Sequence, residues 1–583
     1  MSRTTAPPRR TRTALLSAAA MVAAGLATAT GMSGTAHAAS VACNVTYTTN
    51  DWGSGFTANV SVANVGSAAL DSWTLTYSYT GNQKLANGWN AAWSQSGSTV
   101  TVKGTDWNKS IAAGATASAG AQFAYSGSNA APTSYAVNGT TCNGATDPTD
   151  PPTDPPTDPP TDPPATGDLV DNPYAGAGVY VNPEWSALAA AEPGGSKISS
   201  QPTAVWLDRI AAINGVNGGM GLRDHLDAAV KQAAGKPFVV QLVIYDLPGR
   251  DCAALASNGE LGPTEIGRYE SDYIDPIATI LKDPAYANLR IVTTIEPDSL
   301  PNLVTNTSDR PTGTPQCDTM KANGNYITGV GYALNKLGAV GNVYNYLDVG
   351  HHGWIGWDDN FNATAQVLHQ AATSSGATVA DVQGIIANTA NYGATTEPYF
   401  TISDAVNGTS VRQSKWVDWN RYVDEQSFAQ AFRTEMVSVG FDSRIGALID
   451  TSRNGWGGSA RPTGPAAKTT LDGYVDGSRT DKRIHLGNWC NQSGAGIGER
   501  PQAAPAAGID AYVWVKPPGE SDGASSAIDN DEGKGFDRMC DPTYTGNARN
   551  GNSMSGALPN APLAGHWFSA QFQQLLKNAY PAL

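Results

Sequence analysis

The sequence predicts a multi-domain protein: an all-β sandwich, a proline-rich linker, and a larger domain of parallel β/α architecture. Short alternating strands separated by turn residues precede the linker. After the linker, strand-like apolar runs alternate with helix-like patterns. A near-perfect Thr-Asp-Pro-Pro repeat lies between these two regions. The chain of 583 residues is also too long for one ordinary domain.

The first 38 residues (1–38) have the pattern of a secretory signal peptide. Arginines near the start are followed by an apolar stretch over residues 14–27 and by Ala36-His37-Ala38, a typical cleavage site. The Arg9-Arg10 pair leaves the twin-arginine export route open. Because no later stretch reaches about 18 apolar residues, we expect a soluble, secreted, extracellular protein without a membrane partner.

The composition excludes several classes of function. The formal net charge of −15 argues against nucleic acid and anionic membranes as partners. The 6 cysteines show no CxxC spacing and the 7 histidines are scattered, so we expect no metal and no cofactor. We also expect a monomer.

Residues 39–143 have the pattern of an all-β sandwich. The predicted strands are Cys43–Thr49, Phe56–Asn64, Ser72–Thr80, Ser98–Val102, Thr116–Tyr125 and Thr133–Val137. Trp73 lies in an alternating run and is a core candidate, whereas three tryptophans follow polar or glycine residues in turn-like surroundings: Trp52, Trp89 and Trp107. Exposed indoles on a neutral domain suit an uncharged sugar surface. The alternative is that all the tryptophans of the domain fill its core.

This small domain resembles the family 2 carbohydrate-binding modules, in their cellulose-binding branch. The resemblance is carried by the two terminal cysteines and by the segments 52–60, 73–76 and 130–133. It implies that Trp52, Trp89 and Trp107 form a planar strip that binds cellulose.

Residues 144–167 form the linker. Proline fixes φ and the aspartates repel one another, so we expect an extended spacer. The linker leaves two cysteines on one side and four on the other. If no bond crosses between domains, Cys43 pairs with Cys142, and proximity suggests Cys252–Cys317 and Cys490–Cys540. Sequence alone leaves other connectivities open.

Residues 168–583 form the parallel β/α domain. The predicted strands are Phe238–Tyr245, Leu289–Ile295, Val343–Leu347, Gly384–Ala387, Ile445–Ile449 and Ala511–Val515. The predicted helices are Thr203–Ile213, Arg223–Ala234, Thr264–Leu281, Ala363–Ala372, Gln426–Val437 and His566–Lys577.

Polar side chains follow most of these strands, at the ends where parallel β/α domains carry their active sites. The first strand leads into Asp251, the second into Asp298 and the third into Asp348. Later strand ends lead to Asn388, Asn391, Asp450, Lys516, Glu520 and Asp522. A helix cap would explain one such acid, but acids at most of the ends predict a carboxylate-lined cleft.

A carboxylate-rich cleft without metal spacing or a phosphate loop suits acetal cleavage. One protonated acid donates to the leaving oxygen while other carboxylates activate water. Clustered like charges raise the pKa of one member, which keeps a proton available. Four tryptophans in glycine-rich or polar loops are candidate sugar platforms, with plain packing as the alternative: Trp185, Trp354, Trp357 and Trp489.

The large domain resembles the family 6 glycoside hydrolases along essentially all of its length. The segments that carry the resemblance are 245–254, 295–300, 348–354, 487–490 and 514–516. The resemblance implies a distorted β/α barrel, inversion of the anomeric configuration, and β-1,4-glucan (cellulose and cello-oligosaccharides) as the substrate. It also implies that the two disulfides of this domain tie loops around the cleft.

By this resemblance Asp298 is the general acid, Asp251 raises its pKa and helps to position water, and Asp522 is the candidate base. Tyr245 would press on the distorted sugar ring. The remaining predicted contacts, to the sugar or to the acids, are those of Ser257, Asp348, Asn388, Lys516, Glu520, Trp185, Trp354, Trp357 and Trp489.

Long polar stretches follow several strand ends, at 305–319, 408–424, 452–486 and 523–541. Loops there can roof a cleft into a tunnel, so we expect a cellobiohydrolase that releases cellobiose. The resemblance to family 6 implies that it acts from non-reducing ends. The alternative is an endoglucanase with the same acids. Two other classes are a serine esterase, because Gly519–Gly523 matches the G-x-S-x-G pattern, and a non-catalytic wall-binding protein.

Overall fold

The computed structural model describes residues 43–142, except 52, 54, 66–68, 106–107, 113–114, 127–128 and 133, and residues 169–583. The predicted signal peptide, the linker, Trp52 and Trp107 lie outside the described residues. The described residues belong to two compact units, one on each side of the linker.

The N-terminal unit is a sandwich of two antiparallel sheets around one core. Its strands are β1 (Cys43–Asp51), β2 (Gly55–Asn64), β3 (Thr74–Ser78), β4 (Lys84–Trp89), β5 (Ala92–Ser96), β6 (Thr99–Lys103), β7 (Thr116–Ala124), β8 (Tyr135–Val137) and β9 (Thr140–Thr141). The sheets have the orders β1-β2-β7-β4 and β5-β6-β3-β8-β9. Alternate residues of facing strands fill the core, among them Phe56, Leu75, Val102 and Phe123. The predicted all-β sandwich is confirmed.

Strands β4 and β5 are absent from the sequence-based prediction. Most of their residues are polar, small or glycine and exposed, and the large apolar ones, Leu85, Trp89 and Trp93, are too few to give the apolar alternation by which the other strands were found. Trp73 is 2% exposed and its indole Nε1 donates to the carbonyl of Asn108 at 2.8 Å, which confirms the predicted core position.

The second unit is built on a nine-stranded, mostly parallel sheet. Its strands, in chain order, are β10 (Gly178–Val179), β11 (Val205–Leu207), β12 (Phe238–Ile244), β13 (Leu289–Ile295), β14 (Val343–Asp348), β15 (Gly384–Ala387), β18 (Gly446–Asp450), β19 (Gln502–Ala506) and β20 (Ile509–Val513). The order is β10-β12-β13-β14-β15-β18-β20-β19, and β11 pairs with the end of β12. A separate hairpin consists of β16 (Ala405–Val406) and β17 (Thr409–Ser410).

Both faces of this sheet are buried. On β12, Val240 and Leu242 belong to the core between sheet and helices, while Val239 and Val243 belong to a second core on the other face. Strands buried on both faces are expected to be nearly continuous apolar runs, which is why β12 and β13 could be predicted from the sequence.

Twelve α-helical segments are described in this unit. They are Pro183–Ala191, Leu222–Ala233, Ile266–Arg268, Asp275–Leu281, Leu300–Thr305, Pro315–Asn323, Asn325–Gly338, His352–Ile355, Asp358–Ala372, Glu425–Ser438, Leu471–Ser478 and Ser569–Lys577. A π-helical turn, Tyr269–Ile274, joins the third and fourth, so the predicted helix over 264–281 is continuous but irregular.

One predicted helix is wrong. Residues 203–213 form the short strand β11 and a 3₁₀ turn, Ile210–Ile213, instead of a helix. The apolar residues of this segment have helical spacing, but Val205–Leu207 instead pair in parallel with β12. The pairing provides hydrogen-bond partners for backbone groups that are buried in the sheet. The antiparallel edge strand β19 was also not predicted.

The sheet curls into a distorted β/α barrel, as the resemblance implies. The backbone N–H of Ala204 donates to the carbonyl of Trp514 at 3.1 Å, which brings the segment before β11 next to the segment after β20. The three disulfides are Cys43–Cys142, Cys252–Cys317 and Cys490–Cys540. The first is the pair expected if no bond crosses between domains, and the other two are the pairs that proximity suggests. Within the described ranges, no helix is long and apolar enough to cross a membrane.

Candidate active site

A cleft of about 420 Å³ lies at the carboxyl ends of the parallel strands. Strands β12, β13 and β20 end directly before segments that contribute side chains to it. Its polar lining includes Asp208, Tyr245, Arg250, Asp251, Ser257, Asp298, His351, Lys516, Glu520, Asp522 and Lys534. The structure therefore brings together most of the predicted site residues.

Asp298 follows β13 and lines the cleft. Its backbone has φ of 55°, a left-handed conformation that a non-glycine residue adopts only where surrounding contacts enforce it. One such contact is the hydrogen bond from its N–H to Asp348 Oδ2 at 3.1 Å. Burial, followed by the charges of Asp251, Asp348 and Asp522, raises the pKa of Asp298 well above its ordinary value. The carboxyl is thus suited to hold a proton near neutral pH.

Asp251 lies in the same cleft and also has a positive φ, of 55°. Its Oδ2 accepts a hydrogen bond from the hydroxyl of Tyr245 at 2.8 Å. Burial raises the pKa of Asp251 to about 7, although bonds from Tyr245 and Ser257 and the charge of Arg250 oppose the shift. The negative charge of Asp251 raises the pKa of Asp298, so a proton on Asp251 would make ionisation of Asp298 easier.

Tyr245 is held from two sides. The Arg250 guanidinium carbon lies 4.1 Å from the centre of its ring, and the Trp206 ring meets it edge-on at 5.2 Å. Arg250 is itself buried and donates to the carbonyls of Asp208, Tyr245 and Ser257. The contacts with Arg250 and Trp206 hold the Tyr245 phenol in place at the wall of the cleft.

Asp348 was predicted to contact sugar or to support the acids, and its position favours support. It is 3% exposed and does not line the cleft, while its Oδ2 accepts from the backbone of Asp298 and, at 3.2 Å, of Gly350. Burial raises the pKa of Asp348 to about 6. Of the two predicted roles, support of the acids is therefore favoured over sugar contact, because Oδ2 binds the backbone that shapes the Asp298 turn.

Asp522 is the best-anchored acid of the cleft. Its oxygens accept from Arg453 Nη1 at 2.7 and 2.9 Å, from the Tyr392 hydroxyl at 2.5 Å and from the Asn491 N–H at 2.8 Å. Arg453 is fully buried, and its guanidinium also covers the Tyr392 ring at 4.0 Å. These four hydrogen bonds fix the position and orientation of the Asp522 carboxyl group.

Lys516 and Glu520 lie on the segment after β20 and both line the cleft. Burial lowers the pKa of Lys516 and raises that of Glu520 to about 7. The Lys516 ammonium donates to the carbonyl of Ser521 at 3.1 Å and lies 5.4 Å from the centre of the Trp206 ring.

Three of the four predicted tryptophans line the cleft: Trp354, Trp357 and Trp489. Trp354 is anchored by a 2.8 Å hydrogen bond from its indole Nε1 to the Thr305 hydroxyl. Trp206, which also lines the cleft, was missed because its segment was assigned to a helix. A strand assignment would have placed it at a strand end and marked it as a candidate.

Two predicted substrate contacts are wrong. Trp185 is 2% exposed, packs edge-on against Trp514 and donates from its indole to the carbonyl of Pro518 at 2.9 Å, so it is a core residue. Asn388 is fully buried, and its amide donates to the Asp450 carbonyl and to Asn454. These bonds shape the turn after β15, from which the next residues, Thr389, Ala390 and Asn391, reach the cleft.

The serine-esterase alternative has no support in the geometry. Ser521 is fully buried and its hydroxyl bonds to the carbonyl of Pro562 at 2.9 Å and to Asn491. His566 instead contacts Glu532 at 2.7 Å. In the described parts of the chain, no group of three or more His, Cys, Asp or Glu side chains is arranged to hold a metal ion.

In the N-terminal unit, the Trp89 ring is 40% exposed at the end of β4 and contacts Gly120 of β7. Trp93 is half-buried, and its indole donates to the Trp89 carbonyl at 3.2 Å. The position of Trp89 suits a flat binding surface, whereas Trp52 and Trp107 are outside the described residues.

Comparison with known families matches both units. Residues 175–579 match the family described as Glycosyl hydrolases family 6, and residues 43–142 match the family described as Cellulose binding domain. The first match covers more than half of the chain and contains the whole cleft.

Similar proteins and structures point to the same family. Exoglucanase A of Cellulomonas fimi is 52% identical over 434 residues, which are 71% of this chain and 49% of that protein. This chain therefore matches only about half the length of that relative. The Probable 1,4-beta-D-glucan cellobiohydrolase C of Aspergillus niger is 35% identical, with 72% of this chain and 80% of that protein covered. The catalytic domain of Cellulomonas fimi Cel6B is 51% identical with a TM-score of 0.68, covering 71% of this chain and 96% of that chain.

Proposed function

The chain belongs to glycosyl hydrolase family 6, and from this premise we propose that it is a secreted, inverting β-1,4-glucanase that releases cellobiose from non-reducing ends of cellulose. The observation that carries the proposal is Asp298, a buried carboxyl with a raised pKa in a cleft lined by other carboxylates and by indoles. The names of the two relatives, an exoglucanase and a cellobiohydrolase, agree with it.

In the proposed reaction, Asp298 donates its proton to the glycosidic oxygen as the bond breaks, and water attacks the opposite face of the sugar ring. Asp251 helps to keep that proton on Asp298 and orders water, while Tyr245 presses against the sugar ring. Asp522 is the candidate base because it lines the cleft and Arg453 and Tyr392 fix its carboxyl group there. Asp348 acts through the backbone of Asp298 as a positioning residue.

The loops around the cleft support attack at chain ends. Arg310, His485 and Lys534, from three of the four long polar stretches, line the cleft. Lys534 pairs with Asp208 at 3.4 Å, and Arg549 donates to the carbonyls of Ala253 and Thr312. Contacts between lining segments restrict the cleft and favour threading of a chain end over binding in the middle of a chain.

Product analysis tests the mode of attack. On soluble substituted cellulose, the enzyme should release cellobiose while the viscosity falls slowly, and the first sugar detected by NMR should be the α-anomer. A rapid fall in viscosity with little cellobiose would indicate an endoglucanase instead. The Ser521→Ala variant should behave like the wild type, since its hydroxyl has no part in the proposed chemistry.

The dependence of activity on pH tests the role of Asp251. Asp298 acts only while protonated, so kcat/KM falls as the pH rises through its pKa. After burial, the charge of Asp251 is the largest cause that raises this pKa. In Asp251→Asn we therefore expect the alkaline limb of the kcat/KM profile to move to lower pH. Asp510→Asn is the control, because that buried carboxyl bonds to Tyr346 away from the cleft. An unmoved limb in Asp251→Asn would contradict the role.

The remaining parts of the chain complete the proposal. Residues 39–143 would hold cellulose through Trp89, with Trp52 and Trp107, on a domain that matches the cellulose binding family. Residues 1–38 would direct export and 144–167 would separate the two domains. The three disulfides fit an oxidising compartment outside the cell. We also propose that the enzyme acts as a monomer.

A further inference from the structure

Trp419 is a large apolar side chain that the catalytic cleft does not use. It exposes 55% of its surface, more than Trp89 of the N-terminal unit with 40%. It lies in the long segment between β17 and the helix Glu425–Ser438. An indole that is more than half exposed stabilises the fold little, so packing does not explain why it is there.

The backbone around Trp419 is strained and firmly held. Asp418 and Trp419 have φ of 45° and 66°, a conformation that is costly for a bulky residue and persists only where other contacts enforce it. Arg412 supplies those contacts: its carbonyl accepts from the Trp419 N–H at 2.6 Å and its guanidinium donates to the Trp419 carbonyl at 2.6 Å. The Arg412 guanidinium carbon also lies 5.9 Å from the centre of the indole ring. These contacts fix the backbone at Trp419 and leave more than half of the residue's surface exposed.

The same segment is fastened to the part of the cleft that carries two indoles. The Trp357 indole Nε1 donates to the carbonyl of Asp418 at 2.7 Å. Asn420, which is fully buried, donates from its amide to the carbonyl of His352 at 2.8 Å, and the Arg421 N–H donates to Gly356. Trp419 therefore lies next to the segment 352–357, of which Trp354 and Trp357 line the cleft.

We propose that Trp419 is a stacking platform for glucose units of a β-1,4-glucan chain that extends beyond the Trp357 end of the cleft. The apolar face of a β-linked glucose unit matches an exposed indole, and the neighbouring indoles of the cleft continue the same kind of surface. This inference rests on the proposed function, because it takes the glucan of the cleft as the ligand. Substrates too short to leave the cleft do not reach the platform.

The test uses the full chain and compares Trp419→Asn with Trp419→Tyr. Asparagine tolerates positive φ better than tryptophan, so Trp419→Asn should have an unchanged or higher Tm while it loses the ring. We expect its kcat/KM to fall about threefold to tenfold on swollen cellulose and to stay at the wild-type value on cellotetraose. Trp419→Tyr should retain most of the activity on cellulose. Leu188→Ala, at an exposed helix position, is the control.

Two outcomes would overturn the inference. One is a Trp419→Asn enzyme that equals the wild type on swollen cellulose, and the other is an equal loss on cellotetraose, which would mean that the residue only supports Trp357. Failure of the proposed function would look different, because the wild type itself would then release no sugar from either substrate.

Discussion

Asp298→Asn should lower kcat on cello-oligosaccharides by about 10²-fold to 10⁴-fold, the contribution of a well-placed general acid. An amide keeps the shape of the side chain but has no acidic proton to donate. The loss should be much smaller on an aryl cellobioside with an acidic phenol as leaving group, because that bond needs little protonation. Steady-state kinetics on the two substrates measure the difference.

The stability of the same variant separates lost chemistry from lost folding. The pKa of Asp298 is raised in the folded state, so the folded protein binds this proton more tightly than the unfolded chain does. The wild type therefore loses stability as the pH rises above the ordinary carboxyl range, and the amide does not. We expect Asp298→Asn to have an equal or higher Tm at pH 7. Equal losses on both substrates, or a lower Tm, would contradict the assignment.

Arg453→Met should lower the free energy of unfolding by about 3–5 kcal/mol, the cost of leaving a buried charge without its partner. Arg453 is fully buried and contacts Asp522 through two short hydrogen bonds. Methionine keeps much of the volume, so the loss is mainly electrostatic. Urea denaturation measures it, and kcat should fall as well because Asp522 is no longer fixed.

A double variant isolates the ion pair. Asp522→Asn removes the buried charge, so Arg453→Met with Asp522→Asn should be more stable than Arg453→Met alone. The exposed pair of Arg444 and Asp442 is the control, and Arg444→Met should leave the unfolding curve unchanged. The contradicting result is additivity: Asp522→Asn would cost as much stability in the Arg453→Met background as it does in the wild type. The two residues would then be uncoupled, and the account of the pair would be wrong.

The sequence predicts the fold best where one interaction dominates. Strands β12 and β13 are short, nearly continuous apolar runs that are buried on both faces, a pattern typical of strands in a parallel sheet. The segment 203–213 shows the opposite case, because its apolar spacing fits a helix while its neighbour β12 offers a strand partner. Pairing between distant segments cannot be seen in the local pattern, and β4, which pairs with β7, is a second example. Strands β5 and β19 pair with the next strand along the chain and were missed because they lack a run of buried apolar residues.

At the site, sequence motifs identify the acidic residues of the cleft but not the side chains that contact them. Asp251, Asp298 and Asp522 share the cleft as expected, and their roles stay proposals. Nothing in the sequence links Arg453 to Asp522, since 69 residues separate them and only the fold brings them together. Trp185 and Asn388 were misassigned for a related reason: a tryptophan in a polar segment and an amide after a strand do not reveal which way the side chain faces.

The most direct test of the account is a crystal structure of Asp298→Asn with cellohexaose bound. The account predicts that the oligosaccharide runs through the cleft past Tyr245, with one glycosidic oxygen within about 3 Å of the amide at position 298. An oligosaccharide in the cleft whose glycosidic oxygens all lie far from that side chain, or one bound elsewhere on the domain, would contradict it.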